Sequence, residues 1–473
     1  MKSEDDSPET LSRLRRRITG NAVWTVVGRV IGIAVSLIIN IQMGRKMSPA
    51  EYGVWGVLFS IVVTATSVGK FSLPELLTKL IAEGIAHNRF VQMRPVIHRF
   101  WLISLISGFL TSLAATGIAF LLIDIHATSS PRTQLAILVG AITFVSVGCS
   151  FMGGYFRGIH YASLFALSVP IPSGLIVGPL LIGAINYQLQ QNHQLTLQFV
   201  LIAWGVAVAF SWLVLESLRL IVPPGKTEVD SMPEQWDESQ MATRTILQLG
   251  FPLMLSEIFY LILMQADLWL ATLFASDVEI GFLTAAKRMG NLVDLPVAMG
   301  NLAIASTFAE LYSAGKLQDL ERLARRTAAL LAFLGAGACL VCLLFGDWIM
   351  ELTYEKAYAG TGHYLAITTC ARFAFAFGGP ASVILLMTGG GRILLIGYGI
   401  SVLVMLLASA VLGYYFGMMG LMVASGLGIA TSVWIFCYQL QARDGIRSYS
   451  PWPWHPDGLR WWLGYLARQL GGK

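Results

Sequence analysis

The chain has 473 residues, 55% of them hydrophobic and 12% charged, with a formal net charge of +5. Its mean hydropathy is +0.66. A soluble domain carries about 25% charged residues, so a soluble catalytic domain is excluded, and the basic excess sits in short gaps between apolar runs rather than in a nucleic-acid-binding patch.

In chain order, residues 1–18 form a short segment with Glu4, Asp5 and Asp6 followed by Arg13, Arg15, Arg16 and Arg17. The apolar run after it exceeds a signal-peptide core and no small-residue cleavage site follows, so it is expected to remain as a membrane helix. Twelve apolar stretches are predicted, at 21–43, 53–69, 98–123, 134–155, 161–185, 196–220, 245–274, 280–308, 327–350, 363–387, 393–415 and 417–440. A run of about 20 such residues spans a hydrocarbon core of ~30 Å. The Pro- and acid-rich stretch 222–243 is the one linker. It separates a bundle at 19–221 from a bundle at 244–442, six spans each. The tail, 443–473, holds Trp452, Trp454, Trp461, Trp462 and Tyr465 and reads as an interfacial helix on anionic lipid.

The 32 lysines and arginines test this topology. Arg45, Lys46, Arg132 and Lys356 fall in one set of alternate gaps, and Arg29, Lys287, Arg288 and Arg372 fall inside spans. All the others occupy the second set of gaps and the two termini. Basic loops stay cytoplasmic, which implies a multi-pass inner-membrane protein with both termini in the cytoplasm. The five cysteines all lie in apolar spans. Cys339 and Cys342 have a metal-like spacing without partners, so no metal site is expected.

The halves look repeated. Glu51-Tyr52-Gly53 follows span one, and Glu279-Ile280-Gly281 follows span seven at an offset of 228. Parallel six-span repeats place a substrate site at their interface. Applied to Arg29, the same offset lands on Glu257, which suggests that the two face each other.

Charges inside a span cost at least ~2.5 kcal/mol and face a cavity or a partner. On span one, Thr25, Arg29, Gly32, Ser36 and Asn40 share a helical stripe. On span seven, Glu257, Tyr260, Met264 and Asp267 do so, and on span eight Lys287, Asn291, Asp294, Ala298 and Asn301. Arg372 lies inside span ten. Such stripes either line a wet lumen or bind helices together through hydrogen bonds.

Several stretches carry a family resemblance. They are Gly44-Arg45-Lys46-Met47-Ser48-Pro49-Ala50-Glu51-Tyr52-Gly53, Phe251-Pro252-Leu253-Met254-Leu255-Ser256, Gln265-Ala266-Asp267, Glu279 to Arg288, and Leu386-Met387-Thr388-Gly389-Gly390. By their order and spacing over about residues 15–442, the chain resembles bacterial polysaccharide flippases. These are the O-antigen, lipid-linked oligosaccharide type of the multidrug/oligosaccharidyl-lipid/polysaccharide exporter superfamily. Glu257 is more acidic than that pattern, and Thr284 stands near where Ser is common. The resemblance implies an all-α polytopic protein with about 12 transmembrane helices in two pseudo-symmetric six-helix bundles around a central cavity. It implies alternating access that flips an undecaprenyl-pyrophosphate-linked oligosaccharide to the periplasmic leaflet.

With such a substrate, Arg29, Lys287, Arg288 and Arg372 are the candidates for the pyrophosphate. Asn40, Tyr260, Asn291 and Asn301 are candidates for sugar hydroxyls. Glu257, Asp267 and Asp294 are candidates for coupling to H+ or Na+. No cofactor is expected. The expected partners are the lipid-linked glycan, membrane lipids, and a glycan polymerase with other assembly proteins, with no nucleic acid. Alternatives of the same superfamily are a multidrug or toxic-cation antiporter and a lipid II flippase, although the latter usually has two more C-terminal helices. A membrane glycan polymerase or ligase is disfavoured, because the outer gaps are short and hold no nucleophile or acid–base pair, so the chain is not expected to be an enzyme.

Overall fold

The structure, a computed structural model, describes residues 28, 30–86, 94–125, 131–159, 161–191, 194–221 and 243–449. Arg29, the N-terminal segment, the linker 222–242 and the aromatic tail from 450 onward lie outside these. All regular structure among the described residues is helical. The first half comprises α1 (30–46), α2 (Pro49–Lys70), α3 (Leu73–Ala86), α4 (Arg94–Ile125), α5 (Arg132–Gly158), α6 (Ala162–Leu167), α7 (Val177–Gln190) and α8 (Leu197–Ile221). The second comprises α9 (Thr243–Phe274), α10 (Asp277–Gly290), α11 (Asp294–Ser313), α12 (Leu317–Tyr354), α13 (Gly362–Gly378), α14 (Ala381–Met387) and α15 (Gly391–Asp444).

Among the described residues seven helices are long and apolar enough to cross a membrane, or eight if α13 and α14, bent by 47°, form one broken span. Helix α15 accounts for two of the predicted spans. Its 54 residues would run about 80 Å if straight, far more than a bilayer core. Gly417 (φ 56°, ψ −134°) breaks it. A Cβ on Gly420 would lie 1.9 Å from the Leu412 carbonyl oxygen, and the ring of Tyr398 meets that of Phe436 at 4.8 Å. The two segments therefore form an antiparallel hairpin.

Three predicted spans are not continuous. Span five divides into α6 and α7 around an irregular stretch, 168–176, that contains Pro170, Pro172 and Gly174. Proline removes donors and clashes with the preceding turn, and freed carbonyls inside a membrane need partners. Helix α8 supplies them. Trp204 Nε1 donates to the Pro170 carbonyl at 3.0 Å, and Ser211 Oγ donates to that of Leu167 at 3.2 Å. On α1, Gly32 makes room for this segment, since a Cβ there would lie 2.1 Å from the Ser173 carbonyl oxygen. Span eight breaks between α10 and α11, and span ten at Gly379–Pro380. Helix α3 lies outside the twelve predicted stretches. It buries Leu73, Leu77, Ile81 and Ile85, a four-residue spacing that gives one apolar face.

Contacts within the halves agree with the alternation of basic gaps. At one end, Gln42 Nε2 donates to Asn186 Oδ1 at 3.2 Å, and Gln198 Nε2 to Gln134 Oε1 at 2.9 Å. At the other, Thr78 Oγ1 donates to the Gly154 carbonyl at 2.9 Å. In the second half, Tyr312 Oη meets Asp444 Oδ1 at 3.4 Å, and Arg443 Nη2 meets Thr388 Oγ1 at 2.5 Å. These bring three predicted basic loops to one end. Helix α4, with Leu121 68% exposed, presents an apolar face suited to acyl chains.

By packing, the chain divides into a unit Met1–Ala285 and a unit Ala286–Lys473. Helix α9 belongs to the first unit and packs on α2. Trp269 Nε1 donates to Ser60 Oγ at 2.7 Å. In each unit a thiol meets a carbonyl across a helix contact. Cys149 Sγ (α5) donates to the Val208 carbonyl (α8) at 3.6 Å, and Cys437 Sγ (α15) to the Gly378 carbonyl (α13) at 3.8 Å.

Candidate functional site

Each unit holds a charged pair within its helices. In the first, α2 ends at Lys70, followed by Phe71 (φ 50°) and Ser72 (φ 52°). Two successive non-glycine residues in the left-handed region cost about 1–2 kcal/mol each. Buried Ser72 and Leu73 hold the turn in place. Helix α3 then returns against the end of α5, where a Cβ on Gly154 would lie 2.5 Å from Pro74 backbone. The result is a fixed ammonium. Lys70 Nζ lies 2.8 Å from Glu257 Oε1 on α9 and 3.8 Å from Glu75 Oε1. Its side chain is 18% exposed and that of Glu257 32%. Glu257 thus takes its counter-ion from the end of span two. Arg29, which the repeat offset sets opposite Glu257, lies outside the described residues.

In the second unit, span eight breaks where its polar stripe is densest. The chain leaves α10 through a tight turn, with Leu292 N–H bonded to the Met289 carbonyl at 3.0 Å and Val293 N–H to that of Gly290 at 3.0 Å. It re-enters a helix at Asp294, whose carboxylate occupies the first turn, where the helix dipole favours a negative charge. From α13, Arg372 Nη1 donates to Asp294 Oδ2. Gly290 makes this approach feasible, because a Cβ there would lie 3.0 Å from Thr368 Cγ2 and 3.7 Å from Arg372 Cδ. Arg372 is 8% exposed and Lys287 6%. Arg372 Nε is buried with no hydrogen-bond partner among the described residues. A guanidinium held on one edge retains a donor for an anion. The stretch carries Lys287, Arg288 and Arg372 against Asp294, a net positive charge. Broken helices with charges at the break are where secondary transporters bind substrates and ions.

The other predicted residues are placed as follows. Asn40 is buried; its Nδ2 donates to the Ser36 carbonyl at 2.6 Å and its Oδ1 accepts from Tyr52 Oη at 3.2 Å. With Gly32 against Ser173, the α1 stripe serves helix packing at these two positions. Tyr260 is 38% exposed on α9. Asp267 is 6% exposed, and its Oδ1 accepts from the Leu268 N–H at 2.9 Å. Arg288 is half-buried on α10, and Asn291 is exposed at the break. Asn301 lies on α11, with its side chain outside those described. The structure joins Asp294 to Arg372; along the chain Asn291 stands three residues and Lys287 seven residues before Asp294. Lys70 was not among the predicted site residues, because its place at a span end reads as a topology signal.

Solved structures share this all-helical, polytopic architecture. A multidrug resistance MATE family transporter of the MOP superfamily, in its inward-facing conformation, is similar with a TM-score of 0.68 and 16% identity, over 88% of this chain and 98% of that one. A MOP superfamily transporter from Pyrococcus furiosus, described as having reversed polarity in its binding pocket, gives 0.61 and 17%, over 89% and 95%. The lipid II flippase MurJ, inward closed, gives 0.59 and 14%, over 89% and 87%. At these identities the likeness establishes the fold, that of MOP superfamily transporters. The polysaccharide biosynthesis protein family matches residues 18–307, more than half of the chain, and the protein belongs to that family. The MatE family matches residues 252–411. No curated protein sequence matches the chain.

Proposed function

We propose that the protein flips an undecaprenyl-pyrophosphate-linked oligosaccharide of the O-antigen type from the cytoplasmic to the periplasmic leaflet of a bacterial inner membrane, by alternating access. Both termini lie in the cytoplasm on this reading, as the basic gaps require. The observation that supports it most directly is Arg372, a guanidinium 8% exposed within a membrane span, steadied by Asp294, with Nε unpaired among the described residues. A pyrophosphate cannot enter hydrocarbon without replacement of its water and counter-ions, and fixed cations supply that replacement. Lys287, Arg288 and Arg29 extend the cationic set, while Tyr260, Asn291, Asn301 and Asn40 offer sugar contacts.

Ion coupling is part of the proposal, with H+ or Na+ taken by Glu257, Asp267 or Asp294. Glu257 and Asp294 also neutralise Lys70 and Arg372, so either can carry an ion only as its partner is released. A pyrophosphate that draws the cation away would provide that release.

The experiment is complementation of a strain deleted for the gene. Arg372→Ala, Lys287→Ala and Arg29→Ala should each insert at wild-type levels, lose surface glycan and accumulate its lipid-linked precursor. Wild-type export by all three would overturn the proposal. Export from proteoliposomes that ignores both proton and sodium gradients would remove the coupling. The match to the MatE family over 252–411 supports a second reading, a multidrug or toxic-cation antiporter. Resistance to cationic dyes, with unchanged glycan export in the deletion strain, would favour it.

A further inference from the structure

Between α13 and the second half of α15, the second unit contains a groove of about 510 Å³, within the range of small-molecule sites. Its existence follows from small residues. Helices α13 and α15 meet closely where a Cβ on Gly426 would lie 3.0 Å from Ala371 Cβ, and one on Gly378 2.2 Å from Val433 Cγ1. Beside that seam Ala374 and Ala430 form a shallow floor. Trp434 and Tyr438 form a wall, stacked at 5.9 Å and 17°, and both are largely exposed. Large apolar rings exposed on a membrane span face hydrocarbon, so whatever fills the groove comes from the bilayer.

The far end of the groove is polar. Gln441 and Tyr449 line it, at the end of the unit where Thr388 and Arg443 meet. Gly445 (φ 68°) ends α15. The chain beyond it is not helical, and Ile446 and Ser448 are buried, 1% and 0% exposed. Ser448 Oγ donates to Cys437 Sγ at 3.6 Å, which anchors the segment beside the groove. Arg447 and Tyr449 alternate with these two and are exposed. Arg443, by contrast, is taken up by Asp444 and Thr388.

We propose that this groove binds one acyl chain of an anionic phospholipid, its phosphate held by Arg447, Gln441 and Tyr449. The chain lies over the alanine floor along the Trp434–Tyr438 wall. The head group meets a guanidinium, an amide N–H and a phenol O–H, all donors to phosphate oxygen. The site stands apart from the Asp294–Arg372 pair and does not depend on the flipping proposal.

The test places a photoreactive p-benzoylphenylalanine at position 430 of the full chain, in phosphatidylcholine vesicles containing phosphatidylglycerol. Irradiation should give lipid adducts in which phosphatidylglycerol is enriched about fivefold over its bulk ratio, the factor set by one surface arginine. The same group at Leu121, on the exposed face of α4, should give the bulk ratio. Arg447→Gln, a surface change, should return the position-430 adducts to the bulk ratio without changing the melting temperature. Four outcomes overturn the proposal: bulk-ratio adducts at 430 in the wild-type background, enrichment that survives Arg447→Gln, cross-links to residues 450–473 in place of lipid, or displacement of phosphatidylglycerol by added undecaprenyl phosphate.

Discussion

Gly53 and Gly281 touch backbone to backbone. A Cβ on Gly53 would lie 2.7 Å from the Gly281 nitrogen, and one on Gly281 would lie 2.0 Å from the Pro49 carbonyl oxygen. They stand at the 228-residue offset of the repeat, and so do the caps before them. Ser48 Oγ accepts from the Glu51 N–H at 3.2 Å, while Glu279 Oε2 accepts from the Ser276 N–H at 2.9 Å. Each is a Ser-x-x-Glu helix start. The equivalent helices α2 and α10 therefore cross at their equivalent glycines. Gly281→Val should lower thermal stability by about 1–3 kcal/mol through overpacking. Gly337→Ala, where nothing lies within 4 Å, should leave it within about 0.5 kcal/mol. Melting curves of the purified protein in detergent distinguish the two.

Lys70 and Glu257 should behave as one unit. Lys70→Glu or Glu257→Lys alone sets like charges against each other between α2 and α9, and should reduce export and melting temperature. The double exchange should recover most of both losses. A coupling of about 1 kcal/mol is expected for a pair screened this far from the deepest core. Additive losses in the double variant would dissolve the pair.

Asp294→Ala leaves the Arg372 charge without its partner in a buried position. The cost should be substantial, though below the ~3–5 kcal/mol of a fully enclosed pair, because the Asp294 side chain is 31% exposed. Adding Arg372→Met should restore much of the folded yield by removing the stranded charge. Export should not return, since the proposed phosphate contact goes with it. Recovered export in the double variant would place the anion contact elsewhere.

Trp204→Phe keeps the bulk of a buried ring and removes one N–H. The Pro170 carbonyl, inside the irregular stretch of span five, then loses its donor. Destabilisation of about 1–3 kcal/mol is expected, read as a lower melting temperature, with Trp212→Phe as the comparison, since Trp212 Nε1 has no partner among the described residues.

Hydropathy and loop charge carry most of the fold, because a bilayer admits few ways to satisfy a backbone. The span limits of α2, α4, α5, α8 and α9 fall within a few residues of the apolar runs. What averaging over a window hides is local. The Pro170-Ile171-Pro172-Ser173-Gly174 run is a visible breaker signal inside an apolar stretch, yet its mean hydropathy still reads as one span. The Leu73–Ile85 stripe is amphipathic and too polar to register. The Asp294–Arg372 partnership joins residues 78 apart, and no periodicity on either helix encodes that meeting. The stripes are legible as polar faces; that Gly32 meets backbone rather than water depends on the unwinding of a different span.

The thiol contacts of α5 with α8 and of α13 with α15 are related by an exchange. Cys149 and Val208 stand 59 residues apart, and so do Gly378 and Cys437, with the sulfur on the earlier helix in one unit and on the later helix in the other. What the two units share at that spot is a relationship rather than a residue: one soft donor facing one carbonyl, from whichever helix supplies it. Comparing the halves by residue identity alone misses a likeness of this kind, and matching them by which groups touch recovers it.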